Sequence, residues 1–282
     1  MPPPPATLVV PAPAKVNLFL HVTGRRADGY HVLDSLFALV DWCDLVRLDR
    51  RDDGAIVRTR SLAGVSDDAD LAVRAARLLQ AATATRYGVD LAVEKHLPLG
   101  GGLGGGSSDA ASVLVALNHL WGAGLSRGEL AALGLQLGAD VPFFVHGHAA
   151  RVCGIGEIVE PVSLPRQWLA LAIPPVAVPT VAIFAAPELT RSTPSAKMSV
   201  FSEGYGCNDL EPVARRRYPA VAGALDALAD RVGNARMTGS GACAIALCDT
   251  EAAARDAVRG LPAGTVGRVV RTLERHPLAA LA

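Results

Sequence analysis

Residues 98–111 read Pro-Leu-Gly-Gly-Gly-Leu-Gly-Gly-Gly-Ser-Ser-Asp-Ala-Ala, and the interpretation of the whole chain starts from this stretch. Its glycines, at 100–102 and 104–106, run directly into a segment with helical periodicity. Glycine reaches the backbone conformations that turn several N–H groups toward one point. The helix that follows adds unpaired N-terminal donors and the positive end of its dipole. The stretch therefore predicts a loop that binds a phosphate group.

Two other types of glycine-rich loop fit this stretch less well. A P-loop has a lysine directly after its last glycine, whereas Gly106 is followed by the serine pair 107–108. The dinucleotide fingerprint GxGxxG is present over 100–105, but it also requires an apolar strand before it and an acidic residue about 20 positions later. No acidic residue lies between Asp109 and Glu129. A dehydrogenase is therefore only the weaker alternative. A flexible glycine linker is another alternative.

The stretch resembles the phosphate loop of the GHMP small-molecule kinases, Pro-x-x-x-Gly-Leu-Gly-[Gly/Ser]-Ser-[Ser/Ala], with one extra glycine. Residues 13–39 contain Lys-Val-Asn-Leu and Gly-Arg-Arg-Ala-Asp-Gly-Tyr-His. They resemble the opening signature of the branch that phosphorylates a cytidine-diphosphate-linked methylerythritol. Residues 137–144, Leu-Gly-Ala-Asp-Val-Pro-Phe-Phe, resemble the family's aspartate motif, and 237–243, Met-Thr-Gly-Ser-Gly-Ala-Cys, its C-terminal glycine motif. The resemblance extends over residues 12–270, nearly the whole chain.

The resemblance implies an α+β protein with the two-lobe GHMP kinase fold. Residues 1–160 would form an N-terminal lobe like ribosomal protein S5 domain 2, which holds the ATP loop and the catalytic residues. Residues 161–282 would form a ferredoxin-like C-terminal lobe that contributes to the substrate site. The implied reaction is ATP-dependent phosphorylation of the 2-hydroxyl of 4-diphosphocytidyl-2-C-methylerythritol in non-mevalonate isoprenoid biosynthesis, with Mg²⁺ bridging the phosphates.

Two charged residues are candidates for the chemistry. Lys15 and Asn17 are two positions apart in an apolar run, so a strand places both side chains on one side. A lone lysine in such a place more often extends to solvent. Asp140 precedes Val-Pro-Phe-Phe and is either a turn or capping residue or a partly desolvated base. In the family, the positions matching Lys15 and Asp140 are catalytic, so we expect Asp140 to act as the base and Lys15 to orient it and stabilise charge.

The resemblance also implies a binding site for the substrate. In this branch, the pair matching Tyr30 and His31 holds the cytosine, and the aromatic matching Phe184 covers the other face of the ring. Two aromatic faces suit a nucleobase. Gly239 begins a turn that is either a plain β-turn or a second set of backbone donors. The expected substrate-binding residues are Asn17, Tyr30, His31, Thr180, Phe184, Gly239 and Ser240.

The expected ATP-binding residues lie at and just before the glycine stretch. Lys95 is placed near the base or phosphates, with an ordinary surface lysine as the alternative. The serines cap the helix, contact phosphate or Mg²⁺, or do both, and the role of Asp109 is left open. Asp70 stands where the family often has Asn, which puts a role of that Asn in holding adenine or ribose in doubt. The full set is Lys95, Pro98, Leu99, Gly100, Gly101, Gly102, Leu103, Gly104, Gly105, Gly106, Ser107 and Ser108.

Composition limits the other classes of function. Lys and Arg total 27 and so do Asp and Glu, so no bulk charge attracts nucleic acid or an anionic membrane. Five scattered cysteines suggest reduced, mostly buried thiols in a cytoplasmic protein. His146 and His148 have no evident third ligand, so we expect no protein-built metal site. The expected partner is a small-molecule substrate, without an obligate protein partner, and the proline-rich N-terminus suggests an irregular tail rather than a signal peptide.

Periodicity predicts interleaved strands and helices. Strands are predicted over 16–22, 31–40, 45–48, 55–59, 90–95, 242–248 and 266–272. Helices are predicted over 70–82, 107–120, 126–136, 209–230 and 250–259, the third beginning with a capping box of Ser126 and Glu129. Five prolines in 161–180 predict a crossover between the lobes.

Three rival functions remain at this point. One is another GHMP kinase, acting on mevalonate or homoserine, although those substrates carry no base that the Tyr-His pair would hold. A second is a non-catalytic binding member of the fold, which would be expected to have lost Lys15 and Asp140. The third is the dehydrogenase, which alone predicts tight binding of NAD.

Overall fold

The computed structural model describes residues 6–196 and 206–281, so the predicted N-terminal tail falls largely outside the described residues. Two long strands, β1 (Thr7–Arg25) and β2 (His31–Arg51), form an antiparallel hairpin. In the turn, Gly29 has a φ of 91°, and the side chain of Asp28 accepts a hydrogen bond from the amide of Tyr30. The hairpin confirms the first two predicted strands. The strand predicted over 45–48 is not separate, because β2 continues through it.

Eight further strands, eight α-helices and two short 3-10 helices complete the described parts of the chain. The strands are β3 (Ile56–Arg58), β4 (Gly88–Glu94), β5 (Ala150–Gly154), β6 (Ile158–Pro161), β7 (Trp168–Ile173), β8 (Arg236–Met237), β9 (Ala244–Cys248) and β10 (Val266–Leu273). The helices are α1 (Leu71–Thr83), α2 (Gly105–Leu120), α3 (Arg127–Leu135), α4 (Val141–His146), α5 (Thr180–Phe184), α6 (Glu211–Arg217), α7 (Pro219–Val232) and α8 (Glu251–Ala257). None of these helices is long and apolar enough to cross a bilayer.

Strand β2 is the centre of the sheet. It pairs with β1 along its length, and it also pairs with β5, β10 and β4 in turn. The order β3-β4-β2-β10-β7-β9-β8 then extends the sheet into the second half of the chain. One continuous sheet therefore joins the two halves, since β10 pairs with both β2 and β7.

The predicted crossover at 161–180 contains a central strand. The five prolines flank β7 and do not interrupt it, and Leu169, Ala170, Leu171 and Ala172 are buried. Proline cannot donate to a strand ladder, so its density marks the ends of a strand as well as a loop. Strand β7 was missed because a short strand buried on both faces has no alternating pattern.

The helices cover the sheet in two groups. Helices α1 to α4 pack their apolar residues against β2 and β4, and α6 to α8 pack against β7 and β9. A third cluster lies between the β1–β2 hairpin and strands β7, β9 and β10. The capping box is confirmed, because the Ser126 side chain bonds to the Glu129 amide and Glu129 bonds back to the Ser126 amide. The predicted helices are found, while α4 and α5 were not predicted.

The cysteines differ from expectation in one respect. All five are free thiols, but only Cys243 and Cys248 are buried, and Cys207 is exposed. The expectation of mostly buried thiols was therefore wrong. The prediction did not consider the polarity of the residues around each cysteine. Cys207 lies in the polar run Gly-Cys-Asn-Asp.

Candidate active site

A cavity of about 360 Å³ lies where the glycine stretch meets β1 and the second half of the chain. It brings together most of the residues predicted for the site, from five separate segments. Those that line it are Lys15, Asn17, Lys95, the stretch 98–107, Asp140, Thr180, Phe184, Gly239 and Ser240. Tyr30, His31 and Ser108 do not line it. Sequence reasoning missed the apolar part of the lining, which is Leu20, Leu33, Phe37, Leu71 and Leu210.

The glycine stretch is held in place by the turn at 238–241. A Cβ on Gly102, whose φ is 76°, would lie 2.2 Å from the carbonyl oxygen of Thr238. A Cβ on Gly239 would lie 2.8 Å from the carbonyl oxygen of Gly102. The carbonyl of Leu103 accepts a hydrogen bond from the amide of Lys15 at 3.0 Å. The glycines are therefore needed for backbone-to-backbone packing as well as for turning N–H groups.

The N-terminus of α2 is open to a ligand. Its N-cap is Gly104, with a φ of 71°, and no side chain caps the helix. The first N–H groups of an uncapped helix lack partners and attract anions. Ser107 lines the cavity, whereas Ser108 is fully buried and donates its hydroxyl hydrogen to the carbonyl of Pro13 at 2.6 Å. Of the two serines, Ser107 is the one placed to meet a phosphate.

Lys15 lies beside Asp140, as the sequence led us to expect. Its Nζ is 3.7 Å from Oδ2 of Asp140, donates to Oδ1 of Asn17 at 2.6 Å and lies 4.5 Å from the centre of the Phe37 ring. Irregular strand pairing precedes Lys15 and follows Asn17, and such irregularities re-aim side chains. Burial lowers the pKa of Lys15, and Asp140 opposes that effect. Asp140 is more exposed and carries no helix-capping bond.

Asn17 connects the two halves of the chain. Its amide nitrogen Nδ2 donates to the Ser35 hydroxyl at 2.9 Å, and its backbone N–H donates to the hydroxyl of Thr238 at 2.9 Å. The Thr238 hydroxyl donates in turn to Oδ1 of Asn17 at 3.2 Å. Thr238 is fully buried and was not predicted, although it stands inside the glycine motif 237–243. It fixes the amide that orients Lys15.

Lys95 belongs to a buried cluster of charges. Its Nζ donates to Oδ2 of Asp109 at 2.7 Å and to Oδ2 of Asp44, and it reaches to within 3.3 Å of where a Cβ on Gly105 would lie. Oδ1 of Asp44 accepts hydrogen bonds from the amides at 96 and 97. Burial would lower the pKa of Lys95, but the two carboxylates raise it. Burial and the charge of Asp44 raise the pKa of Asp109 to about 7, against the pull of Lys95.

Asp44 was missed at the sequence level, although a signal was present. It is an acidic residue within the strand run Trp-Cys-Asp-Leu-Val, and its side chain is fully buried. A fully buried carboxylate needs a partner. Lys95 is therefore held between two carboxylates directly beneath the start of α2. This placement excludes the alternative that Lys95 is an ordinary surface lysine.

The aromatic residues are only partly assembled. The His31 and Phe184 rings are in contact, with centroids 5.0 Å apart and planes inclined by 34°. Tyr30 stays 62% exposed at the hairpin turn. The hydroxyls of Thr180 and Ser240 are hydrogen-bonded at 2.7 Å on the cavity wall. His31 and Phe184 thus come from opposite halves of the chain and meet beside the cavity.

The pair His146 and His148 lies elsewhere. Their rings are 6.1 Å apart and stacked. Within residues 6–196 and 206–281, no three His, Cys, Asp or Glu side chains form a group that could hold a metal ion.

Comparison with known proteins agrees with this geometry. Models of the N-terminal and C-terminal domains of GHMP kinases match residues 70–148 and 187–265. A Thiobacillus denitrificans protein named 4-diphosphocytidyl-2-C-methyl-D-erythritol kinase is 58% identical over 268 residues, covering 95% of this chain and 96% of that protein. The chain belongs to the GHMP kinase family.

Solved structures support the same fold. A crystal structure of a 4-(cytidine 5'-diphospho)-2C-methyl-D-erythritol kinase matches with a TM-score of 0.81 at 34% identity, covering 94% of this chain and 99% of that one. A homoserine kinase from Cytophaga hutchinsonii matches with a TM-score of 0.75 at 17% identity, covering 96% of each chain, and shows the fold alone. The two-lobe α+β GHMP kinase fold is confirmed, and the linker and dehydrogenase interpretations of the glycine stretch are set aside.

Proposed function

We propose that this GHMP kinase transfers the γ-phosphoryl group of ATP to the 2-hydroxyl of 4-diphosphocytidyl-2-C-methyl-D-erythritol, giving the 2-phosphate and ADP. The observation that carries the proposal is the Lys15–Asp140 pair on the same cavity as the uncapped start of α2. The substrate is supported by the relative that is 58% identical and by the crystal structure at 34% identity, both named for it. The reaction would serve non-mevalonate isoprenoid biosynthesis.

ATP would place its phosphates on the glycine stretch. The N–H groups at the start of α2 have no capping side chain, and the dipole of this 16-residue helix favours an anion there. Lys95 lies beneath Gly105, where its bonds to Asp44 and Asp109 fix the floor of the loop. Phosphoryl transfer depends mainly on positioning and charge neutralisation, and the N–H groups and dipole of α2 supply both for the phosphates.

Asp140 and Lys15 would act on the acceptor. The hydroxyl oxygen attacks the γ-phosphorus, the bond to the β–γ bridging oxygen breaks, and ADP leaves with that oxygen. Asp140 takes the hydroxyl proton, and its place on the cavity wall suits a general base. Lys15 holds that carboxylate and stabilises the developing charge, while Asn17 fixes the direction of the ammonium group.

Magnesium would arrive with the nucleotide. This ion keeps most of its waters and is bound through substrate phosphates and one or two carboxylates. Asp140 and Ser107 both line the cavity and carry the oxygen atoms that such an ion prefers. The residues present therefore fit Mg²⁺, whose charge would neutralise the phosphates.

The cytosine would lie at Phe184, His31 and Tyr30, with Thr180, Gly239 and Ser240 toward the rest of the substrate. This part of the proposal is supported by the contact of the first two rings and by the hydroxyl pair on the cavity wall. Tyr30 is exposed at the hairpin turn and does not line the cavity, so its ring is accessible to a base bound beside Phe184.

We also propose residues 1–160 and 161–282 as the two lobes, and the cytoplasm as the location. The boundary falls at the last residue of β6, just before the connection to β7. The location is supported by five unpaired cysteines, which suit a reducing compartment.

The test is ADP release from the purified protein with Mg·ATP and one acceptor at a time. The acceptors are 4-diphosphocytidyl-2-C-methyl-D-erythritol, methylerythritol 4-phosphate, mevalonate and homoserine. Turnover with the first alone supports both the kinase chemistry and the base site. Turnover with another acceptor contradicts the substrate, and no turnover with any of them contradicts the catalytic proposal.

A further inference from the structure

Arg191 joins the two aromatic residues of the candidate base site. Its Nε donates a hydrogen bond to Nε2 of His31 at 3.0 Å. Its Nη2 donates to the carbonyls of Phe184 and Ala186, at 3.2 and 2.7 Å, and its Nη1 donates to that of Leu189 at 3.0 Å. A single guanidinium therefore links β2 to the C-terminal end of α5.

This contact decides which nitrogen of His31 carries the proton. Arginine has only donors and stays protonated, so Nε2 of His31 must accept. A neutral ring then carries its hydrogen on Nδ1. Nδ1 has no hydrogen-bond partner within residues 6–196 and 206–281. The side chain thus presents one unused N–H donor beside Phe184.

The segment that carries Arg191 is fastened at its far end. The amide of Thr193 donates to the carbonyl of Val22, and the Ser195 hydroxyl and the Ala196 amide both donate to Oδ2 of Asp34, at 2.6 and 2.7 Å. Asp34 is itself held by Arg151. Burial alone would raise the pKa of Asp34, but these hydrogen bonds lower it to about 2, so the anchor stays ionised. Arg191 is consequently held over His31 by fixed contacts.

We propose that Arg191 is a positioning residue for the nucleobase: it holds His31 neutral with its proton on Nδ1 and fixes the His31 ring against Phe184. The inference rests on the proposed function, because His31 is assigned to the base there. Cytosine carries unprotonated acceptors at N3 and O2, which an Nδ1–H group can meet. Uracil carries a hydrogen on N3, so a donor directed at N3 would disfavour it, whereas both bases offer an acceptor at O2.

The charges around His31 act in the same direction. Burial lowers its pKa, and so do the charges of Arg191 from the fastened segment and Arg25 from β1. Asp28, in the same hairpin turn, is paired with Arg26. Removing the Arg191 charge should raise the pKa of His31 and release the constraint on its tautomer.

The test combines ¹⁵N NMR of the histidine rings with kinetics. The variants are Arg191→Met, Arg191→Lys, which keeps a charge and a donor, and Arg217→Met as the matched control. Arg217 also bonds to an α5 carbonyl, that of Ala182 at 3.1 Å, and to Glu188, but it does not touch His31. His31 signals are assigned by their loss in His31→Asn.

The wild-type ring should show a protonated Nδ1 and a bare Nε2, and Arg191→Met should change that pattern. The same variant should raise KM for the cytidine-linked substrate about tenfold, the effect of about one hydrogen bond, with KM for ATP unchanged. Arg191→Lys should give a smaller rise, and Arg217→Met none.

Three results would overturn the inference. One is a wild-type ring protonated on Nε2. Another is a tautomer change without a change in substrate KM. The third is an equal loss in the Arg191→Met and Arg217→Met variants, which would mean a purely structural role. Because wild-type turnover of the substrate is measured separately, failure of the proposed function is distinguishable from each of these.

Discussion

At the level of single residues, the proposed chemistry depends on one ion pair at the cavity edge. Lys15 is buried and Asp140 is not, so the lysine has lost its solvent and the carboxylate remains accessible to a substrate. Asn17 and Phe37 leave the ammonium group little freedom to turn away. The pair is therefore already arranged before any ligand binds. Enzymes gain much of their rate enhancement from such preorganisation of charged groups.

Asp140→Asn should lower kcat at least about 100-fold, the lower end of what a general base contributes. ATP affinity should change little, because the nucleotide phosphates are assigned to the backbone of the glycine stretch. Turnover by ADP release and ATP binding by calorimetry check this. Asp90→Asn is the matched control, because the side chain of Asp90 is as exposed as that of Asp140 and is also paired with a cationic residue, Arg51. Normal turnover in Asp140→Asn would contradict the assignment.

The cluster around Lys95 should make stability depend on pH. The pKa of Asp109 is about 7 when folded, above its ordinary value, so the folded protein holds a proton that the unfolded chain releases. This contribution is complete below about pH 4 and is lost as the pH rises through about 7. Urea unfolding from pH 5 to 8 should therefore show a decline that Asp109→Asn weakens and Asp90→Asn leaves in place. Equal slopes in all three proteins would contradict it.

At the level of elements, the glycine stretch shows why its sequence is so restricted. Gly102 packs on the turn at 238–241 with no room for a Cβ, while Gly104 ends the loop and begins α2. The loop is thus shaped by a neighbour from the other half of the chain. A phosphate would bind to N–H groups whose direction that neighbour sets.

Gly102→Ala should raise KM for ATP tenfold or more and lower Tm, because the new methyl would overlap a carbonyl oxygen of the turn. Gly122→Ala is the control. It also has a positive φ, 64°, but nothing lies within 4 Å of its added Cβ. It should cost only the backbone strain of about 1–2 kcal/mol and leave ATP binding intact. A similar KM for ATP in both variants would contradict a role for the contact between Gly102 and the turn in ATP binding.

At the level of the whole molecule, the two halves share one sheet and one cavity. Strand β10 pairs with β2, the Arg236 guanidinium donates to the carbonyl of Leu18, and Thr238 bonds to Asn17. These contacts cross the proposed lobe boundary through buried groups. Each half therefore needs the other to bury the edge of its hydrophobic core and to hold its part of the site in place.

Unfolding should accordingly be a single transition. Trp121 reports on the first half and Trp168 on the second. Proteins that keep only one of them, made with Phe at the other two tryptophan positions, should unfold at the same urea concentration by fluorescence. Circular dichroism of each protein controls for the substitutions. Two separate midpoints, differing between the reporters, would contradict a cooperative unit.

The sequence alone determined the local elements and the chemistry of the motifs. The helix over 71–83, the capping box at Ser126 and the glycine stretch follow from short-range periodicity, capping and backbone freedom. The family resemblance then named Lys15 and Asp140 as partners, and their 3.7 Å separation agrees with it. Signals of this kind lie within a few residues of one another, so they survive without knowledge of the packing.

Only the tertiary structure decided which distant groups meet. It put Asp44 on Lys95, Thr238 on Asn17 and Arg191 on His31, and it turned Ser108 inward. It also made 168–173 a central strand between prolines. The physical reason is that burial, not local preference, selects these partners: a polar group removed from water must be paired, and the folded chain determines which partner is within reach.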